Sequence, residues 1–209
     1  IVDSQHTIVA CMQAGFEHHG LDAPEPEAIR RTVGLSLLEG IGRLAPDHPV
    51  QTHERLVDGY KHSFRQLKAQ PDHHEALYPG MENVISHLDE NGYLLGVATG
   101  KSQAGLHDTL DLHGLRPKFM TMQTADINPG KPHPGMIESA LRETGADIEN
   151  TVMIGDTTFD MEMAVNAGAL AIGVSWGYHG VEELIEAGAK IVVDHSEELL
   201  HQVTNLLGD

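Results

Sequence analysis

A parallel α/β sheet with helices on both faces, preceded by a small helical bundle, is the fold class this sequence predicts. Three observations carry that reading. Beyond Pro79–Gly80, short apolar runs alternate with helical patterns, the mark of strands joined by crossover helices. Before that point apolar residues recur at helical spacing and nothing alternates with period two. The Pro-rich breakers of the first part, LDAPEPE and LAPDHPV, fall between its helical segments rather than inside them.

In chain order, Ile1 and Val2 read as the end of a connection leaving a strand. Asp3 and Ser4 supply two N-cap-type residues before the run Thr7, Ile8, Cys11, Met12, Gly15, Phe16. Helices are expected over Thr7–Gly20, Pro26–Val33, Leu37–Leu44 and Val50 to about Gln70. Strands are expected at Tyr93–Thr99, Phe119–Thr124, Thr151–Asp156, Leu170–Trp176 and Lys190–Asp194. Helices near 81–90, 102–113, 134–144, 158–167, 180–187 and 196–207 complete a Rossmann-like unit. The domains are therefore residues 1–4 as a linker remnant, 5–78 as the helical unit and 79–209 as the α/β core.

Composition narrows the function classes. The 209 residues carry 31 acidic and 13 basic side chains, a net charge of −18. So acidic a surface repels nucleic acid and anionic membrane, and an anionic substrate must be held by a few local cations. Cys11 is the only cysteine, so an intrachain disulfide is impossible, and no leader or membrane-spanning run is seen. A cytoplasmic monomer or homodimer is expected, with neither nucleic acid nor membrane as partner. Fifteen histidines raise the question of metal, above all in EHHG at 17–20 and PDHHEA at 71–76. Neighbouring histidines on a helix point apart and no HxxxH or Cys/His cluster accompanies them, so they read as solvated surface residues.

In parallel sheets the chemistry sits beyond the carboxyl ends of the strands. The first run ends GVATGKS, where Thr99 offers a hydroxyl and Gly100 lets backbone approach a ligand. Ser102 can open the next helix, whose N-terminus suits an anion; an ordinary capped turn reads equally well. The GKS ending evokes a phosphate-binding P-loop, but the position that needs glycine is Leu95, and Gly96 is out of register. The second run is followed by ADINPGKPHPGM, where prolines 129, 132 and 134 restrict the loop that carries Lys131. The third ends VMIGDTTFDMEMAVNAG. Asp156 and Asp160, four apart, lie at one edge of a helix N-terminus, and two carboxylates so close need a cation or hydrogen bonds. Hard oxygen donors beside an anion site point to magnesium. Met161, Met163 and Val165 read as packing residues, and Ala164 and Ala167 as close helix–sheet contacts.

Thr99, Lys131 and Gly155–Asp156…Asp160, taken in order, resemble the haloacid dehalogenase superfamily of phosphohydrolases. LYPG at 77–80 and KPHP at 131–134 are similar to its phosphoglycolate phosphatase-like branch. The resemblance implies a magnesium-dependent phosphatase of a small phosphorylated metabolite, working through an aspartyl-phosphate, with the helical unit as a cap near RRTVGLSLLEG. It implies that Thr99, the Gly100 backbone and Lys101 bind phosphoryl oxygens and that Lys131 bridges phosphate and nucleophile. Asp156 would ligate Mg2+, and Asp160 would complete the metal site by ordering a bound water or Lys131.

The family's nucleophile and general acid stand in an Asp-x-Asp-Gly-Thr strand end, after which comes a segment similar to IVDSQ. Asp3 matches the later Asp of that segment, not the nucleophile. The expectation is that the catalytic strand lies in a missing N-terminal segment and that these 209 residues alone are inactive. It would sit centrally, between Tyr93–Thr99 and Thr151–Asp156, holding them roughly 9–10 Å apart, two strand spacings. Three other readings stand beside this one. A haloacid dehalogenase of the same fold would not need the Asp pair. A phosphosugar mutase would carry Arg where Leu37 stands. An inactive binding module of this fold would need no nucleophile.

Overall fold

The structure, a computed structural model, describes residues 1–70 and 75–208. The chain divides into two compact units, Ile1–Tyr78 and Pro79–Asp209.

The first unit runs β1 (Val2–Asp3), α1 (Gln5–His18), α2 (Pro26–Arg30), α3 (Leu37–Leu44), α4 (Val50–Lys68) and β2 (Ala76–Leu77). Met12 and Phe16 of α1 bury against Ile29, Ile41, Ala45 and Leu56, forming its core. Each such side chain contributes roughly 1.5–3 kcal/mol on leaving water. The α3 start is fixed locally: Ser36 Oγ accepts from the Glu39 N–H, while Glu39 returns the bond to the Ser36 N–H, a reciprocal cap.

The two short strands correct the sequence reading. Val2 and Asp3 are not a bare connection but pair antiparallel with Leu77 and Ala76, and the Tyr78 N–H reaches Ile1 O at 2.9 Å. A two-residue ladder is too short to leave a periodic pattern. Ser4 occupies the cap position of α1 without a side-chain cap bond; Asp3 Oδ1 takes the Gln5 N–H at 3.3 Å instead. Among the histidines His18 stacks on His62 across α1 and α4, whereas His73 and His74 lie outside the described residues.

The second unit alternates throughout: α5 (Met81–Glu90), β3 (Gly96–Thr99), α6 (Gln103–Leu112), β4 (Thr121–Thr124), α7 (Gly135–Thr144), β5 (Val152–Gly155), α8 (Thr158–Ala167), β6 (Leu170–Val174), α9 (Val181–Glu186), β7 (Ile191–Val193) and α10 (Ser196–Leu207). All of its ladders are parallel. β3 pairs with β4, Thr99 opposite Thr124, and β5–β6–β7 form a second set with Gly155 opposite Gly173. Among the described residues, β3 and β5 share no ladder. A common core nevertheless underlies both sets. Met136, Met161, Met163, Ala164 and Ala171 are buried in it, and Ala98 of β3 and Met153 of β5 pack against it.

The expected strands are recovered with trimmed ends. Tyr93 is not strand, because its N–H closes the end of α5 on Leu88 O. Val165 is not a packing residue; it is 54% exposed on the outer face of α8. Among the described residues, no helix is long and apolar enough to cross a membrane.

Candidate active site

Two loops bring charge together at the carboxyl ends of β4 and β5. The first, between β4 and α7, carries Lys131, whose peptide bond to Pro132 is cis. The second is the tight step from β5 into α8, Gly155–Asp156–Thr157. Lys131 Nζ meets Asp160 Oδ1 at 2.5 Å, and both side chains are nearly removed from solvent.

Asp160 is also the third residue of α8, and its second oxygen is fully engaged there. Oδ2 accepts from the Thr157 N–H at 3.1 Å and from Thr157 Oγ1 at 2.8 Å. Thr157 Oγ1 in turn accepts from the Asp160 N–H, completing a capping box. One carboxylate thus stabilises a helix start and neutralises a buried ammonium.

Asp156 is placed differently. It is part-buried, and burial followed by the charge of Asp160 pushes its carboxyl up to about 6, against a smaller opposing pull from Lys131. Two glycines make room for the acid pair. A Cβ at Gly155 would overlap the Asp160 side chain, and one at Gly177 would overlap the carboxylate of Asp156. Both positions therefore admit only glycine without movement of an acidic group.

Loop 175–180, after β6, closes the far side. The His179 N–H donates to Asp156 O at 3.1 Å, and its Nδ1 accepts from the Thr158 N–H at 3.0 Å. The neutral ring therefore carries its proton on Nε2. The ring lies edge-on to Phe159 at a centroid distance of 5.5 Å.

On the other ladder Thr99 ends β3, and its Oγ1 accepts from the Lys101 N–H at 3.1 Å. That bond uses an acceptor site of the hydroxyl, so its proton can still be donated to an incoming oxygen. Ser102 caps α6 through Gly105 N, and Asp126 Oδ2 takes the Gln103 N–H at 2.7 Å. Gly100 and Lys101 occupy the turn between Thr99 and that cap.

The structure thus joins Lys131 to Asp160, and both charges act on Asp156, while Thr99 ends β3 and Gly100 and Lys101 occupy the turn after it. Thr157, Gly177 and His179 escaped the sequence reading. Thr157 was signalled by T-x-x-D, a capping-box pattern, and Gly177 and His179 by their place just beyond a strand end. Among the described residues, no group of three His, Cys, Asp or Glu side chains is arranged to hold a metal ion.

A doubly covered parallel sheet with paired acids and a buried lysine at its strand ends defines a class, and comparison with known proteins gives it a family. Residues 1–174 match the model of the haloacid dehalogenase-like hydrolases, and the chain belongs to that family. Within it, the chain is related to the branch of phosphoglycolate phosphatases and PpaX-type pyrophosphatases. It is 34% identical to "Probable phosphatase IndB" of Dickeya dadantii, over 99% of this chain and 90% of that one. It is 27% identical to "Pyrophosphatase PpaX" of Bacillus pumilus, over 96% of this chain and 90% of that one. Among solved structures, a predicted phosphatase from Clostridium acetobutylicum superposes with a TM-score of 0.86 at 23% identity, covering 98% of this chain and 94% of that one.

Proposed function

We propose that this protein is a magnesium-dependent phosphatase of a small phosphorylated metabolite, phosphoglycolate-like in size and charge. The helical unit Ile1–Tyr78 serves as its cap. The observation that carries the reading is the Lys131–Asp160 pair beside the elevated carboxyl of Asp156. Names of relatives support it: one is a probable phosphatase and one a pyrophosphatase.

Asp156 fits magnesium, which takes one or two carboxylates and keeps several waters. It is a hard oxygen donor whose burial makes an unpaired charge costly, so a cation there is favoured. Magnesium bound at Asp156 supplies positive charge to the phosphoryl oxygens. Asp160, saturated by Lys131 and Thr157, acts by fixing the ammonium rather than by direct ligation.

The Lys131 ammonium offsets charge on the transferring group, and Thr99 donates its hydroxyl proton to a phosphoryl oxygen, with the Gly100 backbone and Lys101 beside it. His179 and Gly177 hold Asp156 in place. The nucleophile is a carboxylate on a further strand seated between β3 and β5, a placement supported by these two strands sharing no ladder among the described residues. It attacks phosphorus as the P–O ester bond breaks, and the second carboxyl of that strand gives its proton to the leaving oxygen. The same carboxylate takes a proton from the water that then hydrolyses the aspartyl-phosphate.

The test is turnover of an aryl phosphate, phosphoglycolate, pyrophosphate and sugar phosphates with and without Mg2+. It is run on the 209 residues alone and on a version extended by an Asp-x-Asp strand. Magnesium-dependent phosphate release by the extended version only is expected. Turnover by the 209 residues alone would refute the placement of the nucleophile. Dehalogenation without metal, or phosphate migration without release, would replace the reaction.

A further inference from the structure

The loop that carries Lys131 is held by a chain of hydrogen bonds that begins and ends on α7. Arg142 donates to Ser139 Oγ at 2.7 Å, and Ser139 Oγ donates to Asn128 Oδ1 at 2.8 Å. Asn128 Nδ2 donates to Gln123 Oε1 at 2.8 Å. Gln123 Nε2 donates to Thr121 Oγ1 at 2.7 Å, and Thr121 Oγ1 to Glu143 Oε2 at 2.5 Å. Gln123 and Thr121 belong to β4 and are buried, at 1% and 3% exposure.

The chain has one direction, and its ends impose it. A guanidinium can only donate and a carboxylate can only accept. Thr121 must therefore give its proton to Glu143 and so accept from Gln123, which leaves the Gln123 oxygen to accept from Asn128 and the Asn128 oxygen to accept from Ser139. The two amides between them have one orientation that satisfies every bond. Consistent with this polarity, hydrogen bonds from Thr121 and then Gln123 hold the Glu143 carboxyl below its usual range. Such a chain strengthens as each bond polarises the next.

Asn128 is the member of the chain that belongs to the loop, three residues before Lys131. Asp126, two residues earlier, ties the same loop to the first turn of α6. We propose that Asn128 is a positioning residue, through which the directed chain from Arg142 to Glu143 fixes the loop and so aims the Lys131 ammonium at Asp160. The catalytic consequence rests on the role proposed above for Lys131; the positioning itself does not.

The test uses two perturbations in the full protein. Asn128→Asp keeps the size of the side chain but replaces its donor with an acceptor, so the chain is broken at Gln123. Arg142→Glu, on the surface, breaks it at its head. Arg142→Glu combined with Glu143→Arg exchanges the ends, and every hydroxyl and amide between them can reverse to suit.

The first readout is the Lys131 Nζ signal in nitrogen-detected NMR, which persists while the ammonium is held by Asp160. It should be lost in Asn128→Asp and in Arg142→Glu and return in the double variant. The second is turnover of an aryl phosphate with Mg2+. kcat should fall about tenfold or more with KM nearly unchanged, since misplacement by ~1 Å can cost about a hundredfold, and the charge exchange should recover it. A Lys131 signal that survives both single variants overturns the proposal. Loss and recovery of the signal with constant kcat upholds the positioning and counts against the catalytic role given to Lys131.

Discussion

Lys131 and Asp160 meet at 2.5 Å with side chains only 6% and 5% exposed, which makes each the condition for burying the other. Removing one partner of a buried ion pair typically costs about 3–5 kcal/mol, mostly because a charge is left alone. Lys131→Met and Asp160→Asn should each lower unfolding free energy by about 3 kcal/mol in urea titrations. The double variant should lose at least ~1 kcal/mol less than the sum. Strict additivity would mean that the pair is not coupled.

Asp156 and Asp160 should respond unequally to magnesium. Asp160 already takes three donors, from Lys131 and Thr157. Calorimetric Mg2+ binding to the protein should weaken more in Asp156→Asn than in Asp160→Asn. The reverse ranking would exchange the two roles.

Asp156 also sets a pH dependence. Its carboxyl stands at about 6 in the folded protein against an ordinary 3.8, so folding favours the protonated form. Its ionisation therefore costs nothing below about pH 4, costs increasingly between about pH 4 and 6, and costs a constant amount above. In metal-free protein, Asp156→Asn should be stabilising by about 2 kcal/mol at pH 7, with partial exposure taken into account. It should be neutral at pH 4. Thermal melts in EDTA at the two pH values would read the difference, and a gain of equal size at both would remove the electrostatic explanation.

Gly177 lies against the Asp156 carboxylate, where a Cβ would overlap it. Gly177→Ala should displace the acid at a stability cost of about 1–3 kcal/mol, while Mg2+ affinity drops by about tenfold or more. Gly180→Ala, in the same loop with its Cβ site no closer than 3.2 Å to Glu183, is the control. Equal Mg2+ affinity in Gly177→Ala and Gly180→Ala would show that Gly177 has no part in placing the carboxylate.

Much of this architecture was legible in local patterns. α5 and α8 begin and end where their apolar spacing and flanking residues say, and the strands fall inside the expected runs, most of them as short apolar segments between turns, although β4 itself reads TMQT. What depends on distant partners was not legible. The β1–β2 pair joins residues more than seventy positions apart through two bonds' worth of strand. Gly177 reads as an ordinary turn glycine until Asp156 is seen beside it. Val165 has the same hydrophobicity as its buried neighbours, and only the sheet's position relative to α8 shows that it faces outward. Of the site, residue types at strand ends pointed to Lys131, Asp156 and Asp160; only the family resemblance suggested that Asp160 orders Lys131, and the reciprocal cap that fixes Asp160 on Thr157 emerges from the structure.

The directed chain from Arg142 to Glu143 also bears on how this sequence can change over generations. Thr121, Gln123, Asn128, Ser139 and the two charged ends share one hydrogen-bond polarity. A replacement that removes or reverses one donor leaves its neighbour without a partner, in part beneath the sheet. These six positions are therefore expected to drift as a set: retained together, exchanged end for end, or replaced jointly by apolar residues. A lineage that loses one member is under pressure to lose the rest, even where the lysine they support is kept.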